Sequence, residues 1–168
     1  MLNELDNTDI SILKLLQENA RLTNQEIADK LHKTASPIYR RIKRLEEEGF
    51  IKKYVAVLDA KKIERSLIAF THIQLKDHSQ DSLRNFEKAI IQFPEVLECY
   101  HMSGIYDFIL RVAVKDLETY HQFLMNDLFH IMAIGSVQST FVMKQSKHEA
   151  AFPIDIPPNP FPSANKNS

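Results

Sequence analysis

The chain has 168 residues, 44% hydrophobic and 26% charged, the balance of a folded globular chain rather than a disordered one. No apolar run approaches the roughly 20 residues that span a bilayer, and Met1–Thr8 is acidic and polar, unlike a secretory signal. The single cysteine, Cys99, excludes an intrachain disulfide and fits a reducing cytosol, so the expectation is a cytoplasmic protein with no membrane association.

The formal net charge is only −1, but it is unevenly spread. Residues 1–66 carry 13 basic and 11 acidic side chains, and residues 67–168 carry 8 and 11. Lys33–Lys53 holds seven basic against three acidic residues, the pattern of a local binding face rather than a basic tail.

Three short helices are predicted first. Asp6 and Asp9 stand at N-cap and N3 of the first, with Leu5 and Ile10 as a hydrophobic staple. Thr23 and Glu26 form a Thr-x-x-Glu capping box for the second, stapled by Leu22 and Ile27. The third starts at Thr34, takes Pro37 in its first turn and ends at Gly49, where Phe50 can fold back on Leu45. Helices separated by joints this short read as a helix-turn-helix unit.

At about 100° per residue, Ile38, Ile42 and Leu45 occupy one arc of the third helix and must face a core. Ser36, Arg40, Lys43 and Arg44 then face outward, with Tyr39 and Arg41 on the flanks. Short polar residues followed by Arg and Lys suit a helix lying in a major groove, where Arg holds guanine bidentately and any of these groups can hold phosphate. The expected contacts with double-stranded DNA are Thr34, Ser36, Pro37, Tyr39, Arg40, Arg41, Lys43 and Arg44. Ile51–Asp59 is rich in β-formers and reads as a strand. Its Lys52 and Lys53 either touch phosphate or are solvated edge charges.

The second half changes period. Leu67–Leu75 reads as a strand, Ser79–Phe93 as a helix, and Val96–Met102 and Tyr106–Val114 as strands. Leu117–His130 then reads as a helix and Val137–Lys144 as a strand. The order β-α-β-β-α-β is ferredoxin-like, an antiparallel sheet with both helices on one face. The third of these strands is apolar on both faces, with Phe108, Leu110, Val112 and Val114 against Ile109 and Ala113, so the uncovered face calls for a second copy. Five of the seven prolines fall at 152–168, which reads as an extended or disordered tail.

Leu5-Asp6-x-x-Asp9-x-x-Ile12-Leu13-x-x-Leu16-Gln17-x-Asn19-Ala20-Arg21 resembles the opening of the Lrp/AsnC family of leucine- and asparagine-responsive regulators. Glu26-Ile27-Ala28, the run Arg40–Gly49, and the turn Gly104-Ile105-Tyr106-Asp107-Phe108 continue the resemblance over about residues 4–146. It departs at Lys33-Thr34, where relatives have Leu-Ser, and at Ile105, which relatives often make acidic or polar.

The resemblance implies an α+β chain with a winged-type helix-turn-helix domain over 1–50, a strand-bearing linker over 51–66, and a ferredoxin-like sensing and oligomerisation domain over 67–148. The proline-rich tail, over 149–168, lies outside the resemblance. The resemblance also implies a promoter-binding regulator built of homodimers that assemble to octamers and respond to an amino acid. It places the effector at Ser103, Gly104, Ile105, Tyr106 and Asp107, with Gly135, Val137 and Thr140 contributing. The chemistry fits a zwitterion, since N–H groups of a glycine turn hold a carboxylate and Asp107 pairs with an amino group. Equally, Gly104 permits the turn and Asp107 caps it.

Two other functions remain open. A ligand-independent architectural DNA-binder shares the helix and the assembly. A siroheme-decarboxylase-like enzyme resembles the same family, but the seven histidines are scattered, with none at i, i+4 spacing and no Cys motif. No catalytic residue, metal or cofactor is therefore assigned. RNA binding is disfavoured because the strands do not spell the aromatic pattern that stacks bases.

Overall fold

The computed structural model describes residues 5–131 and 134–154. Helix α1 (Asn7–Glu18) opens on a complete capping box in which the Asp6 carboxylate accepts from the Asp9 N–H and the Asp9 carboxylate accepts from the Asp6 N–H. Helix α2 (Asn24–Lys30) opens on the same reciprocal pair made by Thr23 and Glu26. Each box satisfies two N–H groups that a first turn leaves without helical partners. Helix α3 (Ala35–Glu47) begins after Thr34 as expected, but the Thr34 hydroxyl makes no capping bond. The α2–α3 joint is tight: His32 adopts φ 54°, and the Lys33 N–H reaches the Ala28 carbonyl at 2.9 Å. Gly49, at φ 77°, ends α3, and the Ile51 N–H closes on the Leu45 carbonyl at 3.0 Å. Ile10, Ile12, Ile27, Ile38 and Leu45 are fully buried where the three helices meet.

The strand expected over Ile51–Asp59 does not form. Residues 52–59 carry no regular secondary structure, and Val55, Val57 and Leu58 are exposed. β-forming side chains make a ladder only against a partner backbone, and none pairs with this segment among the described residues.

The chain divides into two compact units. One is Met1–Ala56 together with Lys147–Ser168, and the other is Val57–Ser146. Within the first, the Gln17 side-chain amide donates to the Phe152 carbonyl at 3.1 Å and accepts from the Phe152 N–H at 2.6 Å. Ile154 packs against the helical core. The remainder of the proline-rich tail, from residue 155, lies outside the described residues.

The second unit contains β1 (Leu67–Leu75), α4 (Gln80–Ile90), β2 (Val96–His101), β3 (Phe108–Val114), α5 (Leu117–Gln122) and β4 (Ile134–Phe141). The sheet order is β2-β3-β1-β4 with every neighbour antiparallel, which is the ferredoxin-like arrangement. Phe108, Leu110, Val112 and Val114 face the helices and are fully buried with Phe86 and Ile90 of α4. A chain of hydroxyls runs through this core: Thr71 to Tyr120 at 2.7 Å, and Tyr120 to Ser139 at 2.6 Å.

Two sequence expectations shift here. The helix expected over Leu117–His130 is α-helical only to Gln122, then continues as a π turn, Phe123–Asp127, and a 3-10 turn, Leu128–His130. The wider i→i+5 turn lets Phe123 and Leu128, five residues apart, both enter the core. The last strand begins three residues before the expected Val137 and ends at Phe141, leaving Met143 95% exposed. The ladder ends with Phe141 opposite Ala69; the Val142 N–H makes one further bond to the Ile68 carbonyl, while β1 runs on to Leu67 against β3.

The other face of the sheet is mixed. Phe70 and Tyr100 are exposed, Ile68 and Ile109 are half-buried, and Arg111 pairs with Glu98 at 2.8 Å.

Candidate nucleic-acid interface and sensing turn

Helix α3 presents two sets of basic side chains. Arg40 and Lys43 are exposed and have no ion-pair partner among the described residues. Thr34, Ser36, Pro37 and Tyr39 are exposed along the same helix, and Lys52 and Lys53 are exposed just beyond it. Arg41 and Arg44 are turned inward onto α1. Arg41 Nη1 reaches Asp9 Oδ1 and Asp6 Oδ2, each at 2.7 Å, and Arg44 Nη2 reaches Asp9 Oδ2 at 2.6 Å.

Asp9 is 1% exposed, so its charge is removed from water and compensated by two guanidiniums and the Asp6 N–H. Partial burial opposes the charged form of Asp6. The Asp9 N–H and the Arg41 guanidinium outweigh it and hold the Asp6 carboxyl below its usual range. The hydrogen bond to Asp9 raises the Arg41 pKa further, so Arg41 stays charged.

Tyr54 fixes the chain just after α3. Its hydroxyl donates to Glu46 at 2.9 Å, and burial together with the Glu46 carboxylate pushes its pKa up to about 12.

Sequence reading missed Asp9 as the partner of α3. It recognised Asp9 as a helix cap, but the ion pairs join residues 32 and 35 positions apart, for which a local pattern holds no signal.

The β2–β3 connection, residues 102–107, forms the second site. Gly104 adopts φ 131°, which a side chain rarely tolerates, and Ile105 is 79% exposed. The Met102 N–H bonds to the Asp107 carbonyl at 2.8 Å, and the Asp107 N–H bonds to the Ile73 carbonyl at 2.9 Å. The Asp107 carboxylate accepts the Leu75 N–H at 2.7 Å and lies 3.2 Å from His78 Nε2. The Tyr106 hydroxyl donates to Gln138, and its ring packs against His72.

Gly135 belongs to the same end of the sheet: a Cβ there would stand 3.2 Å from the Gln74 carbonyl oxygen, at the irregularity where β1 and β4 shift register. Tyr106, Asp107 and Gly135 are thus brought together at the end of β1, with Ser103 and Gly104 exposed beside them in the turn. Val137 instead packs into the helix-side core, and Thr140 pairs with Phe70, further back along β1. His72, His78 and Gln138 were not among the expected residues, because strand register brings His72 and Gln138 to the turn and the loop after β1 brings His78.

Among the described residues, no group of three or more His, Cys, Asp or Glu is placed to hold a metal ion, and no helix is long and apolar enough to cross a membrane.

Comparison with known proteins agrees with both halves. A model of the Lrp/AsnC ligand binding domain matches residues 68–152, and one for winged helix-turn-helix DNA-binding matches residues 5–52. The Bkd operon transcriptional regulator of Pseudomonas aeruginosa is 36% identical over 151 residues, 90% of this chain and 99% of that protein. The crystal structure of a Neisseria meningitidis transcriptional regulator in complex with L-Met superposes with TM-score 0.84 at 34% identity, covering 89% of this chain and 96% of that one. An AsnC family transcriptional regulator from Agrobacterium tumefaciens gives the same TM-score at 36% identity, covering 89% and 97%.

Proposed function

The chain belongs to the Lrp/AsnC family of DNA-binding transcriptional regulators, and from that premise we propose that it binds promoter DNA through the outward arc of α3 under the control of an amino acid. The observation that carries the reading is the exposure of Arg40 and Lys43 on a helix whose opposite arc, Ile38, Ile42 and Leu45, is buried. Thr34, Ser36, Pro37 and Tyr39 complete the groove-facing surface, and Lys52 and Lys53 contact the flanking backbone. The free Thr34 hydroxyl supports a phosphate contact there.

Two exposed cations on one helix give weak binding by a single copy, so affinity is supplied by pairing two copies. The mixed outer face of the sheet, with Phe70 and Tyr100 exposed, supports that contact, and dimers assemble further to octamers. The effector is held at residues 103–107 and Gly135. The relative crystallised with L-Met supports an amino acid as its chemistry. In this reading the protein acts in the cytoplasm and performs no catalysis.

A gel shift on the chain's own promoter tests the DNA half: Arg40→Ala with Lys43→Ala should reduce affinity while the melting curve stays unchanged. An unaltered shift would mean that another face binds. Calorimetry with the twenty amino acids tests the other half. If none gives heat or a thermal shift, the protein is a ligand-independent DNA-binder. A haem absorbance band in the purified protein would instead favour the decarboxylase-like reading.

A further inference from the structure

We infer that Asp9 is a positioning residue for DNA recognition, one that withdraws Arg41 and Arg44 from the DNA-facing charge and leaves Arg40 and Lys43 to read the groove. The inference rests on the assignment of α3 as the DNA-binding helix. By sequence, Arg40, Lys43 and Arg44 face outward with Arg41 on a flank, and a helix with four free cations would hold any duplex through its phosphates. In the structure they are not equivalent. Both oxygens of the buried Asp9 carboxylate are engaged, Oδ1 by Arg41 and Oδ2 by Arg44. Asp6 adds a second contact to Arg41, and Glu48 lies 3.8 Å from Arg44 Nε.

Asp9 is also fixed from its own helix. It sits at N3 of α1 and accepts the Asp6 N–H, so the cap that starts α1 sets the height at which α3 is gripped. One carboxylate thereby sets the orientation of the recognition helix and lowers its sequence-independent attraction for DNA. Specificity is a difference of affinities, and reducing the nonspecific term raises it as surely as adding a base contact.

The salt dependence of DNA binding tests this. Each phosphate contact contributes about 0.9 to the slope of log K against log salt. Arg40→Gln and Lys43→Gln should each flatten the slope wherever the side chain holds phosphate, or relax sequence preference where it holds a base. Arg41→Gln should leave the slope unchanged, and it keeps Arg44 as the partner of Asp9. Asp9→Asn should steepen the slope and lower the ratio of specific to nonspecific affinity, because it frees Arg44 from its short contact and leaves Arg41 held by Asp6 alone.

If Arg41→Gln flattens the slope as much as a phosphate-contacting residue does, or if folded Asp9→Asn keeps both the wild-type slope and the wild-type ratio, the inference is wrong. Should Asp9→Asn fail to fold, Arg41→Gln decides the matter alone. If Arg40→Gln and Lys43→Gln change neither slope nor specificity, the α3 assignment fails and takes the inference with it.

Discussion

The two units bury polarity differently. The helical unit buries a charge: Asp9, held by two arginines that are themselves partly in water. The sheet unit buries neutral hydroxyls, Thr71 and Tyr120, bonded in series with the half-buried Ser139. A neutral hydroxyl chain fits side chains together inside a core at small cost. A buried carboxylate is costly unless paired, and here its partners lie on the helix proposed to meet DNA. The contrast teaches that charge was taken inside where a surface must be held at a set angle, and avoided where only packing is required.

The comparison can be broken most directly by removing the compensation. Arg41→Ala combined with Arg44→Ala strands Asp9 and should cost about 3 kcal/mol, the low end for an uncompensated buried charge because both guanidiniums are partly exposed. Urea unfolding followed by helical circular dichroism measures it. In the sheet unit, Tyr120→Phe leaves the Thr71 and Ser139 hydroxyls without their shared partner and should cost about 2 kcal/mol in the same experiment. A larger loss for Tyr120→Phe than for the double arginine variant would reverse the proposed ranking of the two devices.

The smallest effect concerns an exposed carboxylate. Bonds from Ser79 and Ser82 hold Asp77 at about 2, below its ordinary value of 3.8. Its contribution is therefore complete above the ordinary value and is lost as pH falls toward about 2. Asp77→Asn should flatten that acid limb slightly in a series of melting temperatures against pH: the variant lacks the small contribution at neutral pH and converges on the wild type as pH falls toward about 2.

Much of the helical unit could be read directly because its signals are local. Asp6 with Asp9 and Thr23 with Glu26 announce their helices within four residues, and the arc of Ile38, Ile42 and Leu45 fixes which side of α3 faces out. The ferredoxin-like order was legible from alternating periods. The failures have a common cause, since each depends on a partner distant in sequence. Residues 52–59 have strand composition but no partner. Ser136 and Ser139 interrupt the apolar alternation of β4, and Ser139 is used inward because Tyr120 meets it there. The π turn after Gln122 answers to core positions rather than to helix propensity. At the β2–β3 turn, Gly104 and Asp107 stood out by residue type, whereas Gln138 and His72 joined them only through register.

Gln17 grips the backbone of Phe152 across a sequence separation of 135 residues. The helical unit is consequently a late finisher during synthesis. Its three helices can assemble early, but the strap over α1 must wait until the whole sheet unit has emerged from the ribosome. A fragment carrying only the three helices would lack that strap.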